Sequence, residues 1–113
     1  MATAEQADLY ETTRPLLDAL YTEFQELSKK KPEATLSESK VKVINRLLED
    51  VRKVLKDEPE FKYLDLLVNE LLPQNSDVVL MLSQYKAAME TFHGNYYCMD
   101  PETRKRRWFI DEE

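Results

Sequence analysis

The chain has 113 residues, a length typical of one domain, and 42% of them are hydrophobic and 34% charged. Its single glycine excludes a phosphate-binding glycine-rich loop and disfavours β-sandwiches and barrels, whose turns need glycine repeatedly. Its single cysteine, Cys98, excludes an internal disulfide and is typical of a reducing compartment. With 22 acidic against 16 basic residues, the net charge of −6 provides no overall positive field for a polyanion.

The first predicted helix lies upstream of Pro32. Apolar residues recur at helical spacing from Leu16 to Leu27, and Lys29–Lys31 suit the negative end of a helix. Pro15 is tolerated in a first helical turn, yet Leu9 and Tyr10 continue the same face upstream. Either a short helix covers residues 4–14, or one helix continues through Pro15 with a kink.

The second predicted helix has the clearest amphipathic pattern in the chain. Val41, Ile44, Leu48, Val51 and Leu55 follow each other at steps of three and four, and Val43, Leu47 and Val54 widen this apolar stripe. Thr35 with Glu38 has the spacing of a capping box, and Ser37 is the alternative N-cap. We therefore expect Leu48, Val51 and Leu55 to lie at the centre of the core.

Two further helices are predicted between Pro59 and Gly94. The third begins at Pro59, carries its apolar face from Phe61 to Leu72 and ends at Pro73. The fourth is capped by Asn75 or Ser76 and ends at Gly94 in a left-handed C′ position. The alternative, a strand over 78–82, disagrees with the helical spacing that continues to Phe92. Because the connections are short, residues 1–94 are predicted to form an all-α, four-helix antiparallel bundle, up-and-down or a close variant.

Residues 95–113 form a C-terminal tail that is unusually aromatic. Chain ends are ordinarily polar, so these apolar side chains are predicted to pack on the bundle or on a partner. Asp100 and Pro101 have the pattern of an N-cap followed by the first helical residue, which predicts a short helix over about 101–109.

Two pairings of reactive residues are candidates for a catalytic or metal site. Glu90 and His93 form the E-x-x-H pair that di-iron bundles use twice, but His93 is the only histidine in the chain. His93 is near Cys98 in sequence and could act as its base, but no third group is evident that would orient the His93 ring. We therefore predict that the protein is not an enzyme and binds no metal or other cofactor.

A basic cluster followed by aromatic residues stands out in the tail. It has three interpretations: nucleic-acid contact through residues 104–108, docking of a partner protein, or a solvated surface. The adjacent acids Asp111, Glu112 and Glu113 and the overall acidity disfavour nucleic acid. The predicted partner-binding residues are Arg104, Lys105, Arg106, Arg107, Trp108, Phe109, Tyr96 and Tyr97.

The function predicted from sequence is that of a small acidic interaction module. Such a protein would act as an adaptor, an inhibitor or neutraliser, or an accessory subunit, with another protein or its own copy as partner, so a homodimer is one expectation. The alternative is a nucleic-acid-binding regulator that uses residues 104–108. No stretch approaches the about 18 apolar residues of a membrane span, and the N-terminus lacks the features of a secretory signal, so a cytoplasmic location is expected.

Overall fold

The structure, a computed structural model, describes residues 2–68 and 70–111. Within these ranges the chain forms three α-helices, one 3-10 helix and four very short strands. In chain order they are β1 (Ala2–Thr3), α1 (Ala4–Lys30), α2 (Glu38–Leu55), the 3-10 helix (Pro59–Tyr63), α3 (Asn75–Tyr96), β2 (Tyr97–Met99), β3 (Arg106–Trp108) and β4 (Ile110–Asp111).

The predicted four-helix bundle is wrong, because the third predicted helix does not form. Only Pro59–Tyr63 is helical there, as a 3-10 turn, and the chain from Leu64 to Pro73 contains no regular helix among its described residues. We call this stretch the crossover segment. Its apolar spacing resembles that of a helix, yet Leu64 and Leu67 are buried from an irregular backbone.

Side chains of α2 and α3 form hydrogen bonds with backbone groups of the crossover segment. The Asn45 side chain pairs with both backbone groups of Leu67: its Oδ1 accepts from the Leu67 N–H at 2.8 Å, and its Nδ2 donates to the Leu67 carbonyl at 2.9 Å. The Tyr85 hydroxyl donates to the Asp65 carbonyl at 2.7 Å. These tertiary bonds occupy groups that a helix would have bonded internally, so tertiary structure overrides the local helical pattern.

The crossover segment changes the topology from the one predicted. Gln6 near the start of α1 donates to the Val54 carbonyl near the end of α2, so these two helices are antiparallel. The start of α3 bonds to the end of α1, since the Ser76 N–H donates to the Pro32 carbonyl. Helices α2 and α3 are therefore both antiparallel to α1 and parallel to each other. In an up-and-down bundle, each helix would instead be antiparallel to both of its neighbours.

Helix α1 settles the alternative at Pro15 in favour of one continuous helix from Ala4 to Lys30, with Pro15 inside it. Thr3 caps the helix, because its hydroxyl accepts from the Gln6 N–H and its own N–H donates to the Gln6 side chain. Helix α2 is capped by Ser37, the alternative to Thr35, through the Lys40 N–H.

Helix α3 differs from prediction at both ends. Its N-cap is Gln74, which precedes both of the expected caps, Asn75 and Ser76, and the Gln74 N–H donates to the Asp77 carboxylate at 3.0 Å. Gly94 does not end the helix, which continues to Tyr96, and its φ is not positive. The predicted left-handed C′ position is therefore wrong.

The core lies where all three helices and the crossover segment meet. Leu48, Val51 and Leu55 are fully buried, which confirms the central stripe predicted for α2. Tyr10 and Leu17 of α1 and Val78, Leu82, Tyr85 and Phe92 of α3 complete it.

The tail is a β-hairpin, and the short helix predicted over 101–109 is wrong. Strands β2 and β3 pair antiparallel, with Tyr97 opposite Trp108 and Met99 opposite Arg106. An Asp followed by Pro also starts β-turns, and this second meaning of the pattern applies here. Beyond the hairpin, β4 pairs in parallel with β1, Ala2 opposite Ile110.

Candidate protein-binding surfaces

The turn between β2 and β3 is held by several hydrogen bonds around Asp100. The Asp100 N–H donates to the Lys105 carbonyl at 2.9 Å, and the Arg104 N–H donates to the Asp100 carbonyl at 2.7 Å. One Asp100 carboxylate oxygen accepts from the Glu102 N–H and the other from Arg107 Nε at 2.7 Å. The Glu102 N–H and the Arg107 guanidinium hold the pKa of Asp100 below its usual value, because both stabilise the charged form.

Trp108 anchors this hairpin to the helices. Its ring lies edge-on to Tyr10 at 5.2 Å and to His93 at 5.6 Å, and it also contacts Phe92. Its indole N–H donates to the Glu11 carboxylate at 3.0 Å. Aromatic contacts of this kind stabilise the fold beyond simple burial. The Trp108 ring therefore makes its stacking and hydrogen-bond contacts within the chain.

The other aromatic residues predicted as partner-binding also make internal contacts. Tyr97 stacks on His93 at 4.6 Å between ring centroids and meets Trp108 at 5.4 Å. Tyr96 packs on Phe92, and its hydroxyl donates to the buried Glu58. Burial, followed by this bond to Glu58, raises the pKa of Tyr96. These residues fix the hairpin on the helices, so their aromatic character is explained without an external partner.

Of the four basic residues, one is paired with an acid within the described part of the chain and three are not. Arg107 bonds Asp100, and its guanidinium lies 4.5 Å from the centre of the Phe109 ring. Arg104, Lys105 and Arg106 are exposed and form no ion pair within the described part of the chain. The eight predicted residues therefore lie in one hairpin region, and within residues 2–68 and 70–111 Arg104, Lys105 and Arg106 are the exposed bases among them without an ionic partner.

Glu90 and His93, the E-x-x-H pair, have different surroundings in the structure. Glu90 is exposed, whereas the His93 ring stacks against Tyr10 at 5.4 Å and against Tyr97. Across residues 2–68 and 70–111, no three His, Cys, Asp or Glu side chains come together as a group that could hold a metal ion. Cys98 is a free thiol, half-buried in β2.

A second surface, which sequence analysis did not identify as a site, is an apolar groove between α1 and α2. We call it the α1–α2 groove, and its volume is about 440 Å³. Leu16 and Val43 are 55% and 58% exposed there, in contrast to the buried residues beside them on each helix. Its walls are Leu16, Ala19, Leu20, Val43 and Leu47, and its charged rim is Glu23, Arg46 and Asp50.

The opposite side of α1 faces α3 through a polar cleft. Asp18 lies 3.6 Å from Lys86, and Arg14 lies 3.8 Å from Asp18. The Lys86 ammonium also lies 4.4 Å from the centre of the Tyr21 ring. Charged groups thus cover the α1–α3 side, whereas leucine and valine line the α1–α2 groove.

The apolar pattern of α2 contains an indication of this groove. Val43 and Leu47 lie beside the main stripe of α2 and are predicted from the sequence to widen that stripe. In the structure Val43 is exposed and Leu47 is only half-buried. A stripe wider than one neighbouring helix can cover marks a second apolar face.

Among the described residues, no helix has both the length and the apolar character needed to cross a membrane. Comparison of the chain with known protein families, with curated proteins and with solved structures finds no match.

Proposed function

We propose that the protein is a binding module for another protein, and that the partner places an amphipathic helix in the α1–α2 groove. The observation that carries this proposal is the exposure of Leu16 and Val43 on facing helices, across an open apolar groove. Single exposed apolar residues are common on proteins, but a rimmed apolar groove is typical of an interaction site.

The spacing of the groove residues suits a helix. Leu16, Leu20 and Glu23 on α1, like Val43, Leu47 and Asp50 on α2, recur at steps of three and four, so each wall is a straight ridge along its helix. From Leu16 to Glu23 the wall is about 10 Å long, at 1.5 Å per residue. An occupying helix would present about two turns, with apolar residues spaced as in other helix-in-groove complexes.

Charge at the rim favours a partner with basic ends over a second copy of this chain. Glu23 lies toward one end of the groove and Asp50 toward the other, with Arg46 between them, and Asp50 also pairs with Lys53 of α2 at 3.3 Å. A second copy would bring the same acidic groups and the same net charge of −6 to the interface. A helix with a basic residue at each end would complement Glu23 at one end and compete with Lys53 for Asp50 at the other, and such complementarity contributes mainly to specificity.

Site-specific photo-crosslinking tests this proposal. A photoreactive amino acid replaces Val43 in protein expressed in its native host, and the crosslinked partner is identified and then purified. Binding is measured with the wild type, with Leu16→Glu and with a control, Leu80→Glu. Leu80 is 63% exposed on α3, away from the groove, so the control makes the same change at a similar exposure.

We expect the crosslink to map to an amphipathic helix of the partner, and Leu16→Glu to weaken binding at least about ten-fold, because a buried leucine contributes about 1.5–3 kcal/mol. Leu80→Glu should leave the affinity unchanged. Equal weakening by both variants would contradict the proposal. A crosslinked product made of two copies of this chain would instead identify the groove as a homodimer interface.

A further inference from the structure

We propose that the tip of the β2–β3 hairpin is a second interaction surface, which binds a short acidic segment of a partner protein through Arg104, Lys105 and Arg106. This surface is separate from the α1–α2 groove, since the hairpin is anchored on α1 and α3 through Trp108. The inference does not depend on what occupies the groove.

The three bases are held on an ordered turn. Asp100 accepts from the Glu102 N–H at 2.9 Å and donates its own N–H to the Lys105 carbonyl, while the Thr103 hydroxyl accepts from the Lys105 N–H at 3.3 Å. Ordering the backbone before binding reduces the entropy lost when the partner docks. The charges are thus displayed by a formed surface and not by a free chain end.

Arg104 has an unfavourable backbone conformation for its residue type. Its φ is 58°, the only positive φ of a non-glycine residue in the described ranges, and glycine or asparagine would adopt this conformation more easily. The hairpin nevertheless has arginine there. An outlier of this kind supports a functional hypothesis about its side chain.

Asp100 forms an ion pair with Arg107, the one base of the cluster that has a structural role. It bonds Arg107 at 2.7 Å, so the charge of Arg107 is compensated within the hairpin. Arg104, Lys105 and Arg106 are consecutive and without an ionic partner in the described part of the chain. Met99, opposite Arg106 across the strand pair and 57% exposed, adds an apolar contact beside them.

These features favour an acidic protein segment over nucleic acid. Single strands bind proteins by stacking bases on exposed aromatic rings, but Trp108 is held by Tyr10 and His93. A long polyanion would also meet the rest of an acidic chain, which has 22 acidic residues against 16 basic ones, four of them in this cluster. A short segment that mixes acidic and apolar residues would use both the bases and Met99.

Fluorescence anisotropy with defined probes tests the proposal. The probes are fluorescein-labelled octaglutamate and octathymidylate, titrated with the full chain at about 50 and about 200 mM NaCl, because contacts of this kind weaken with salt. The test variant is R104Q/K105Q/R106Q. The control is K29Q/K30Q/K31Q, which removes the same number of charges from another exposed run of bases.

We expect octaglutamate to bind the wild type more tightly than octathymidylate does. The hairpin variant should weaken octaglutamate binding about ten-fold, since three exposed pairs of modest strength combine to that order. The control variant should bind as the wild type does. Arg104→Gly should melt at or above the wild-type temperature, because it relieves the backbone, and yet bind octaglutamate about two- to three-fold more weakly.

Three results would overturn the proposal. The first is the absence of octaglutamate binding at the lower salt concentration. The second is an equal loss in the hairpin and control variants, which would assign the effect to net charge alone. The third is tighter binding of octathymidylate, which would establish the nucleic-acid interpretation. Unchanged binding by Arg104→Gly would remove Arg104 from the surface.

Discussion

Replacing Asn45 with alanine tests whether side-chain bonds hold the crossover segment in its non-helical path. Asn45 lies on α2 and uses its amide to pair with both backbone groups of Leu67, at 2.8 and 2.9 Å. Leu67 is buried, so water cannot freely replace these two bonds. Alanine is a better helix former than asparagine, so a loss of stability would come from the lost contacts and not from a weakened α2.

The expected loss follows from the two hydrogen bonds. Each contributes about 0.5–1.5 kcal/mol net, so Asn45→Ala should lower the free energy of unfolding by about 1–3 kcal/mol. Asn45→Asp should also destabilise the fold. It keeps an acceptor for the Leu67 N–H, but it places a carboxylate oxygen against the Leu67 carbonyl.

Urea denaturation measures the free energy of unfolding, and hydrogen exchange reports the Leu67 amide directly. Asn95→Ala is the matched control, because Asn95 is exposed on α3 and its side chain makes no hydrogen bond in the described part of the chain. Its effect should stay within about 0.5 kcal/mol. If Asn45→Ala is equally silent and the Leu67 amide exchanges as in the wild type, the proposed role of Asn45 is refuted.

Three further predictions concern α3 and the hairpin. Gly94→Ala should raise the free energy of unfolding in urea by about 0.5–1 kcal/mol, because Gly94 is helical and an added Cβ meets nothing within 4 Å; a loss would indicate a helix end there. Trp108→Ala should cost about 2–4 kcal/mol in thermal melts, far more than R104Q/K105Q/R106Q, and similar effects would contradict the anchoring role of Trp108. Burial raises the pKa of Tyr85 from 10.0 to about 12. Because Tyr85 ionises at a lower pH in the unfolded chain than in the folded one, its contribution to the free energy of unfolding is fully present below pH 10 and is lost between pH 10 and 12. The stability difference between wild type and Tyr85→Phe in urea should therefore shrink by about 1 kcal/mol from about pH 8 to about pH 11, and a constant difference would disprove the assignment.

Helices could be predicted from the sequence where their apolar residues form a single stripe that packs against the neighbouring helices. The stripe of Val41, Ile44 and Leu48 on α2 is an example, since burial and helical spacing agree there. Helix α1 was also found, because its continuation through Pro15 was one of two stated alternatives. In both cases the local pattern and the tertiary structure favour the same conformation.

The crossover segment and the hairpin could not be predicted because distant residues decide their conformation. The bonds to Leu67 come from Asn45, and the bond to Asp65 comes from Tyr85, and no pattern within the segment encodes either contact. Asp100 with Pro101 fits both a helix start and a turn, and pairing of Tyr97 with Trp108 selects the turn.

The proposed binding surfaces were predictable only in part. The basic cluster was visible as a run of charges, but which of its members are neutralised depends on the fold that brings Asp100 to Arg107. Predicting the α1–α2 groove requires knowing that Leu16 and Val43 lie on facing helices and line an open groove. Periodicity alone places both residues on apolar faces and cannot show which part of a face stays uncovered.

The parallel pairing of Ala2 with Ile110 brings two distant parts of the sequence to one place, close after the strand that carries Arg106 and Arg107. An affinity tag or fluorescent fusion attached before residue 2 would therefore emerge beside the hairpin, although it is remote from it in sequence. A charged tag there would alter the potential around Arg104, Lys105 and Arg106. Labels for binding measurements are better attached in the connection between α1 and α2, for example at the exposed Glu33, on the opposite end of α1.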